Sequence, residues 1–212
     1  MKSEYVWERT ETKAHEYLFP GIIKVLDKFN VQKDAYILDA GCGGGYIVGN
    51  LYKLGYSNIY GFDVSTSGIE VAQKSYPEIA ERFIVHDGYE EKLPAGIPEK
   101  YDVVLSVEVI EHMFLPRVYL KNLKNWLKDN GLLVLTTPYH GYFKNLLIAI
   151  LNKYDSHHNP LWDFGHIKFF SKSTLFKILE ETGFQPVYFQ GLGRIPFLWK
   201  SMLIVAKKSK GG

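Results

Sequence analysis

Residues 36–45 read YILDAGCGGG. A short apolar run that ends in glycines predicts a buried parallel strand over 36–40, turning sharply into a helix. Helical spacing follows at Ile47, Leu51 and Leu54 within 45–54, and Gly55 caps the end. Working outward, the alternation repeats. NIYGFD (58–63) predicts a second strand, and Ser65 or Thr66 caps a helix that runs to about Ser75 before Pro77 stops it. RFIVHD (82–87), YDVVLSVEV (101–109) and GLLVLTTP (131–138) predict three more strands, with a helix over 116–128 that starts near Pro116. The pattern breaks at 139–168, where an apolar helical stretch (142–151) leads into a loop containing HHNP (157–160). A helix over 171–184 and a closing hairpin, 185–193 with 201–208, complete about seven strands. This order predicts an α/β fold with a parallel sheet, whose ligands bind just beyond the carboxyl ends of the strands.

Composition narrows the function classes. A chain of 212 residues that is 46% hydrophobic suits one domain with an ample core. The net charge is +2 and the basic residues are scattered, apart from Lys207, Lys208 and Lys210, so no nucleic-acid track is expected. Cys42 is the single cysteine, which excludes an internal disulfide and suits a reducing, cytoplasmic setting. MKSEYVWERTETK lacks the apolar core of a signal peptide. No apolar run reaches the roughly 18–20 residues that span a bilayer.

The glycine loop gains meaning from three acids. Asp39 precedes it, Asp63 ends the second strand and Asp87 ends the third, with Gly88 next. An acid at the end of the second strand is placed to accept hydrogen bonds from ribose hydroxyls. One acid at a strand end is commonly a loop cap; three in succession behind a glycine loop point to a nucleoside-bearing ligand. A dinucleotide fingerprint wants a small residue at its last position, but here Tyr46 or Val48 falls there. Asp39 would also repel a pyrophosphate. A ligand carrying a sulfonium and an ammonium, and no phosphate, turns that acid into an asset.

With ILDAGCGGG (37–45), YGFD (60–63), HDG (86–88), YDVVLSVEVIEHM (101–113) and GLLVLTTP (131–138), the chain resembles class I methyltransferases that use S-adenosylmethionine (SAM) over about residues 35–207. The resemblance implies a Rossmann-like, doubly wound, seven-stranded sheet with an antiparallel last strand. It implies that Asp39, Gly41 and Gly43 surround the methionine part of SAM, that Asp63 binds ribose and that Asp87 lies by adenine, with Val64, Gly88 and Val107 completing the cofactor site. Residues 1–212 then form one domain, with 1–30 as an N-terminal helical lid carrying the aromatics Tyr5, Trp7 and Tyr17, and 139–170 as a substrate-side insert. Members often place an arginine before the first strand to meet the SAM carboxylate; here only Lys24 is near.

The fourth strand runs into Glu108-Val-Ile-Glu111-His112. Two carboxylates and an imidazole that close could hold Mg²⁺, Mn²⁺ or Zn²⁺. Such an ion would lower the pKa of an acceptor hydroxyl. The spacing is similar to the metal motif of ubiquinone-pathway O-methyltransferases. It also resembles that of small-RNA 2′-O-methyltransferases, in which a later histidine joins, here His166 of GHIKFFS (165–171). The other reading makes His112 or His166 a general base, with Glu111 beside it. His157 and His158 fall in the insert, where they could touch substrate or metal, although solvent exposure is the commoner fate of loop histidines. The apolar segment 142–151 walls an acceptor pocket, touches a membrane surface peripherally or packs on the core. The expected activity is methyl transfer to a hydroxyl of a small aromatic or quinol-like acceptor. The alternatives are a metal-dependent RNA 2′-O-methyltransferase, a nucleotide-binding dehydrogenase and a SAM-binding protein without catalysis.

Overall fold

The computed structural model describes residues 6–209, so Tyr5 and Lys210 lie outside the described residues. Seven strands form one sheet: β1 (Tyr36–Ala40), β2 (Asn58–Asp63), β3 (Phe83–Val85), β4 (Tyr101–Val107), β5 (Leu127–Pro138), β6 (Phe184–Leu192) and β7 (Ser201–Lys208). Their spatial order is β3-β2-β1-β4-β5-β7-β6. Pairings from β3 through β5 are parallel, whereas β7 runs antiparallel to both β5 and β6. The strand order reverses between β1 and β4, which opens a crevice at the carboxyl edge there.

Alternation along the strands builds two cores. Ile37, Val103, Val134 and Leu203 face one layer, made by α1 (His15–Lys28), α2 (Tyr46–Lys53) and α3 (Thr66–Ser75). Leu38, Val104, Leu133 and Ile204 face the other, made by α4 (Pro116–Trp126) and α7 (Lys172–Glu181). The helices answer with 3.6-residue stripes, Leu18, Ile22, Val25 and Leu26 on α1 and Tyr119, Leu120, Leu123 and Trp126 on α4. Each fully buried aliphatic side chain contributes about 1.5–3 kcal/mol. Ser65 caps α3 by accepting from the Gly68 amide at 3.1 Å, and Ser171 caps α7 in a reciprocal pair with Thr174.

The boundaries shift in ways that bear on function. The fourth strand ends at Val107, two residues short of its expected end, because Glu108 adopts φ +55° and residues Ile110–His112 form a 3₁₀ turn. β3 is confined to three residues, with a 3₁₀ turn over Pro77–Arg82 ahead of it. Within the insert lie α5 (Tyr142–Ile150) and the short α6 (Tyr154–His157). The only buried residue of α5 is Lys144, so this segment does not pack its apolar side chains into the core.

Candidate active site

The cofactor side is shaped mainly by backbone. Gly41, Gly43 and Gly45 take positive φ values of 87°, 51° and 79°, conformations that cost an L-residue roughly 1–2 kcal/mol. The Gly41 and Cys42 amides donate to the Phe62 carbonyl at 2.8 Å each, which locks the loop to the end of β2. Asp63 accepts from the Gly43 amide through one oxygen and from the Ser65 amide through the other, both at 2.8 Å. Asp39 is 1% exposed, and its Oδ1 has no hydrogen-bond partner. Burial, with the nearby Asp63 charge adding to it, raises its pKa to about 8. A buried carboxyl lacking a partner on one oxygen fits a ligand bearing a positive charge.

Asp87 accepts from the Tyr89 amide at 2.9 Å, so it caps its own loop while standing at the end of β3. Gly88 is buried, and a Cβ there would come within 2.9 Å of the Tyr119 ring. Val107 is half-buried and Val64 is exposed at the rim. Lys24 is exposed on α1. α1 itself belongs to a core layer; the irregular stretch ahead of it is what crosses the loop. The Trp7 amide donates to the Ser67 hydroxyl at 3.1 Å, and its indole packs against Gly43 and Gly68. The backbone of Arg9 and Thr10 approaches Gly44 so closely that a Cβ would sit within 2.9 Å of it.

Beyond β4 the site is made by side chains. Glu111 is completely buried. Its Oε2 accepts from the Thr137 hydroxyl at 2.9 Å, while Oε1 has no hydrogen-bond partner and lies 3.9 Å from His166 Nε2. The amides of Ile167 and Lys168 both donate to the Glu111 carbonyl at 2.9 Å, which pins the loop carrying His166 onto the turn after β4. His112 Nδ1 contacts the carbonyls of Phe164 and Gly165 at 2.9 and 3.2 Å. Those acceptors require a proton on Nδ1 and leave Nε2 with the lone pair. The His112 and His166 rings lie 4.9 Å apart between centroids, and one potential ligand atom from each of Glu111, His112 and His166 falls within 4.8 Å of the others. Burial pushes the pKa of His112 down, and burial together with His112 takes His166 to about 4, so both imidazoles are neutral near pH 7.

Glu108 stands outside that trio. Its left-handed backbone aims the carboxylate toward β7, where Oε2 accepts from the Ser201 hydroxyl at 3.0 Å, and Ser201 in turn meets the Tyr17 hydroxyl at 3.4 Å. Burial raises its pKa to about 7. Glu111 is raised as well, first by burial and then by the Glu108 charge. Thr136, whose hydroxyl accepts from the Glu108 amide at 3.1 Å, Thr137 and Ser201 are site residues that sequence reasoning missed, while Tyr17, expected in the lid, reaches Ser201. The TTP at the end of the fifth strand was the signal for the two threonines. Cys42 is buried and its thiol pKa is raised by burial, which suits a packing role.

Comparison with known proteins fits this geometry. The methyltransferase domain family matches residues 11–188. The ubiquinone biosynthesis O-methyltransferases of Dinoroseobacter shibae and a Ruegeria species are 33% and 34% identical over 168 and 169 residues, 77% of this chain in each case. The chain spans 65% and 66% of those relatives' lengths, just under two thirds. Among solved structures, the magnesium protoporphyrin IX methyltransferase of Synechocystis, crystallised with bound SAH, superimposes with a TM-score of 0.68 at 20% identity, covering 91% of this chain and 82% of that one. At that identity the likeness speaks for the fold. Together with the family match it places the chain in the methyltransferase domain family, among the class I SAM-dependent methyltransferases.

Proposed function

We propose that this protein transfers the methyl group of SAM to a hydroxyl oxygen of a small aromatic or quinol-like acceptor, at a site that also holds a divalent cation. The observation that carries the acceptor chemistry is the meeting of the buried Glu111 carboxylate, with its unpartnered Oε1, and two neutral imidazoles from His112 and His166. One carboxylate and two imidazoles suit Zn²⁺ or Mn²⁺, and Mg²⁺ with water ligands. When bound, the cation supplies a lowered pKa for the acceptor hydroxyl, and SAM supplies the electrophilic methyl group.

The chain's own residues supply the positioning. Asp39 meets the positive end of SAM, Asp63 the ribose and Asp87 the adenine edge. Gly41 and Gly43 keep the loop low enough for close approach, with Val64, Gly88 and Val107 around them. Trp7 and the residues after it cover the loop and exclude water. Thr137 fixes the orientation of Glu111, and the Phe164 and Gly165 carbonyls fix the tautomer of His112. Most of the rate advantage then comes from holding sulfur, methyl and oxygen in line.

An apolar acceptor is favoured by the insert. Tyr142, Ile150 and Leu161 are 75%, 67% and 90% exposed, and Trp162 packs edge-on against His112. An aromatic surround suits a lipophilic ring better than an RNA end, which would call for clustered basic residues. Among the described residues no helix is long and apolar enough to cross a membrane. The exposed face of α5 instead supports peripheral contact with a lipid surface that delivers such an acceptor.

The test is methyl transfer from labelled SAM to a panel of catechols and quinols, run on metal-stripped protein before and after adding Mg²⁺, Mn²⁺ or Zn²⁺. Activity should appear with a cation, and Glu111→Gln should lower it by at least about 100-fold while SAM affinity stays within about twofold. Full activity in stripped protein would remove the cation and return His112 or His166 to the role of general base.

A further inference from the structure

Three imidazoles meet at a second place, outside the trio around Glu111. His140 directly follows β5 and Tyr139, and its amide donates to the Phe170 carbonyl at 3.1 Å. His157 ends α6 and His158 follows it, their amides donating to the carbonyls of Lys153 and Tyr154 at 3.1 and 2.8 Å. One ring nitrogen from each of the three falls within 4.8 Å of the others. His140 is only 8% exposed, yet neither of its ring nitrogens has a hydrogen-bond partner. Buried polar groups are nearly always satisfied, so an imidazole with both nitrogens unpaired is short of a ligand.

An aromatic wall closes one side of the cluster. The rings of His140 and His158 lie 5.3 Å apart at 28°, and the Phe169 ring stands edge-on to both at 5.1 and 5.0 Å, forming an apolar wall. The positive charge of Lys144 reaches all three imidazoles, while its ammonium donates to the Tyr139 and Lys200 carbonyls at 2.8 and 3.3 Å. Two nitrogens on a tetrahedral zinc ion stand about 3.3 Å apart, so the three rings, now within 4.8 Å of one another, would draw slightly closer around an ion.

We propose that His140, His157 and His158 form a second metal site, which takes a borderline divalent transition ion of the zinc class through three imidazole nitrogens and leaves a further position open. Hard ions such as Mg²⁺ prefer oxygen donors and are disfavoured by an all-nitrogen set. An ion here would tie α6 to the end of β5 and so fix the shape of the insert. The inference is independent of the methyl-transfer reading, because none of these residues belongs to the cofactor loop or to the Glu111 trio.

The experiment uses tag-free protein stripped with a chelator and titrated with Co²⁺ as a visible probe of nitrogen ligation. A Glu111→Gln/His166→Ala background silences the other cluster. The expected result is one Co²⁺ per chain, displaced by one equivalent of Zn²⁺ and retained in excess Mg²⁺. Adding His157→Ala and His158→Ala should weaken binding at least tenfold with an unchanged far-ultraviolet circular dichroism spectrum. If the background variant misfolds, the same titration of the otherwise unaltered chain should show one ion fewer after His157→Ala/His158→Ala. Co²⁺ binding that survives those two substitutions undiminished, or folded protein that binds no Co²⁺ in that background, would overturn the site.

Discussion

The two halves of the carboxyl edge are built by different means. Around β1, β2 and β3, backbone does the shaping: glycines with positive φ, amides bonded to Asp63, and a loop locked to Phe62. Around β4 and β5, side chains from distant segments do it, with Glu111 meeting His166 and His140 meeting His157 and His158. A site made of backbone serves one ligand and tolerates little change. A site made of side chains on a turn and an insert can be re-equipped residue by residue. On the proposed reading the first half takes the unvarying cofactor and the second the acceptor.

The largest effect that would sharpen this contrast is one of pH. Asp39 has its pKa raised to about 8 in the folded chain, against about 3.9 for an unperturbed aspartate. The folded state therefore holds a proton that the unfolded state releases. The stability contributed by this group is present below about pH 4 and is lost as pH rises toward about 8. A cationic ligand favours the ionised form, so SAM affinity should rise with pH over that window, by up to about tenfold per unit, with uptake of ligand releasing a proton. Calorimetry in buffers of different ionisation enthalpy would measure it. Asp39→Asn should flatten the slope; a slope that persists would place the titrating group elsewhere.

A smaller effect is expected at Gly43. Alanine there keeps φ at +51° only at a cost of about 1–2 kcal/mol, and its methyl would meet the Trp7 indole. Urea denaturation should show that loss, and SAM affinity should fall about tenfold or more, since each 1.4 kcal/mol is a factor of ten. Pairing Gly43→Ala with Trp7→Ala should return the part due to the clash and leave the part due to φ. Full recovery would mean that backbone conformation matters less here than the cover above it.

The smallest effect on the fold should come from the other half. Ile150→Glu on exposed α5 should change stability by no more than about 0.5 kcal/mol and leave SAM affinity unaltered. Sedimentation with anionic vesicles should nonetheless show weaker association than the unaltered chain. Equal association of both proteins would remove the lipid contact from the proposal.

The same contrast explains what could be read from the sequence. The strands up to Pro138 are apolar runs bounded by turn residues, and each lies near its predicted place because a buried parallel strand needs little beyond local pattern. The glycine loop and the strand-end acids were legible for the same reason. Glu108 shows where local pattern stops. The apolar run continues through Val109 and Ile110, but the backbone has already turned, sending one carboxylate toward Ser201 and leaving the other, Glu111, to meet His166. His140 carries no signal in the sequence beyond standing just past a strand end, and for His157 and His158 the sequence leaves contact with substrate or metal open beside plain loop exposure. Their meeting depends on the path of the insert, which no periodicity encodes.

That path has one further property. The insert leaves the sheet at His140 and returns at Phe170, and the hydrogen bond between these two residues, at 3.1 Å, closes the excursion at its base. A second tie lies just inside it, where the Ile167 and Lys168 amides donate to the Glu111 carbonyl, so the exposed stretch from α5 to residue 163 hangs from a neck already joined. Chain added or removed beyond such a neck changes loop entropy only slowly, by about 0.6 kcal/mol for each doubling of length. The segment is thus a detachable module, which descendants of this protein could lengthen, trim or exchange to acquire new acceptors while the seven strands beneath keep their register.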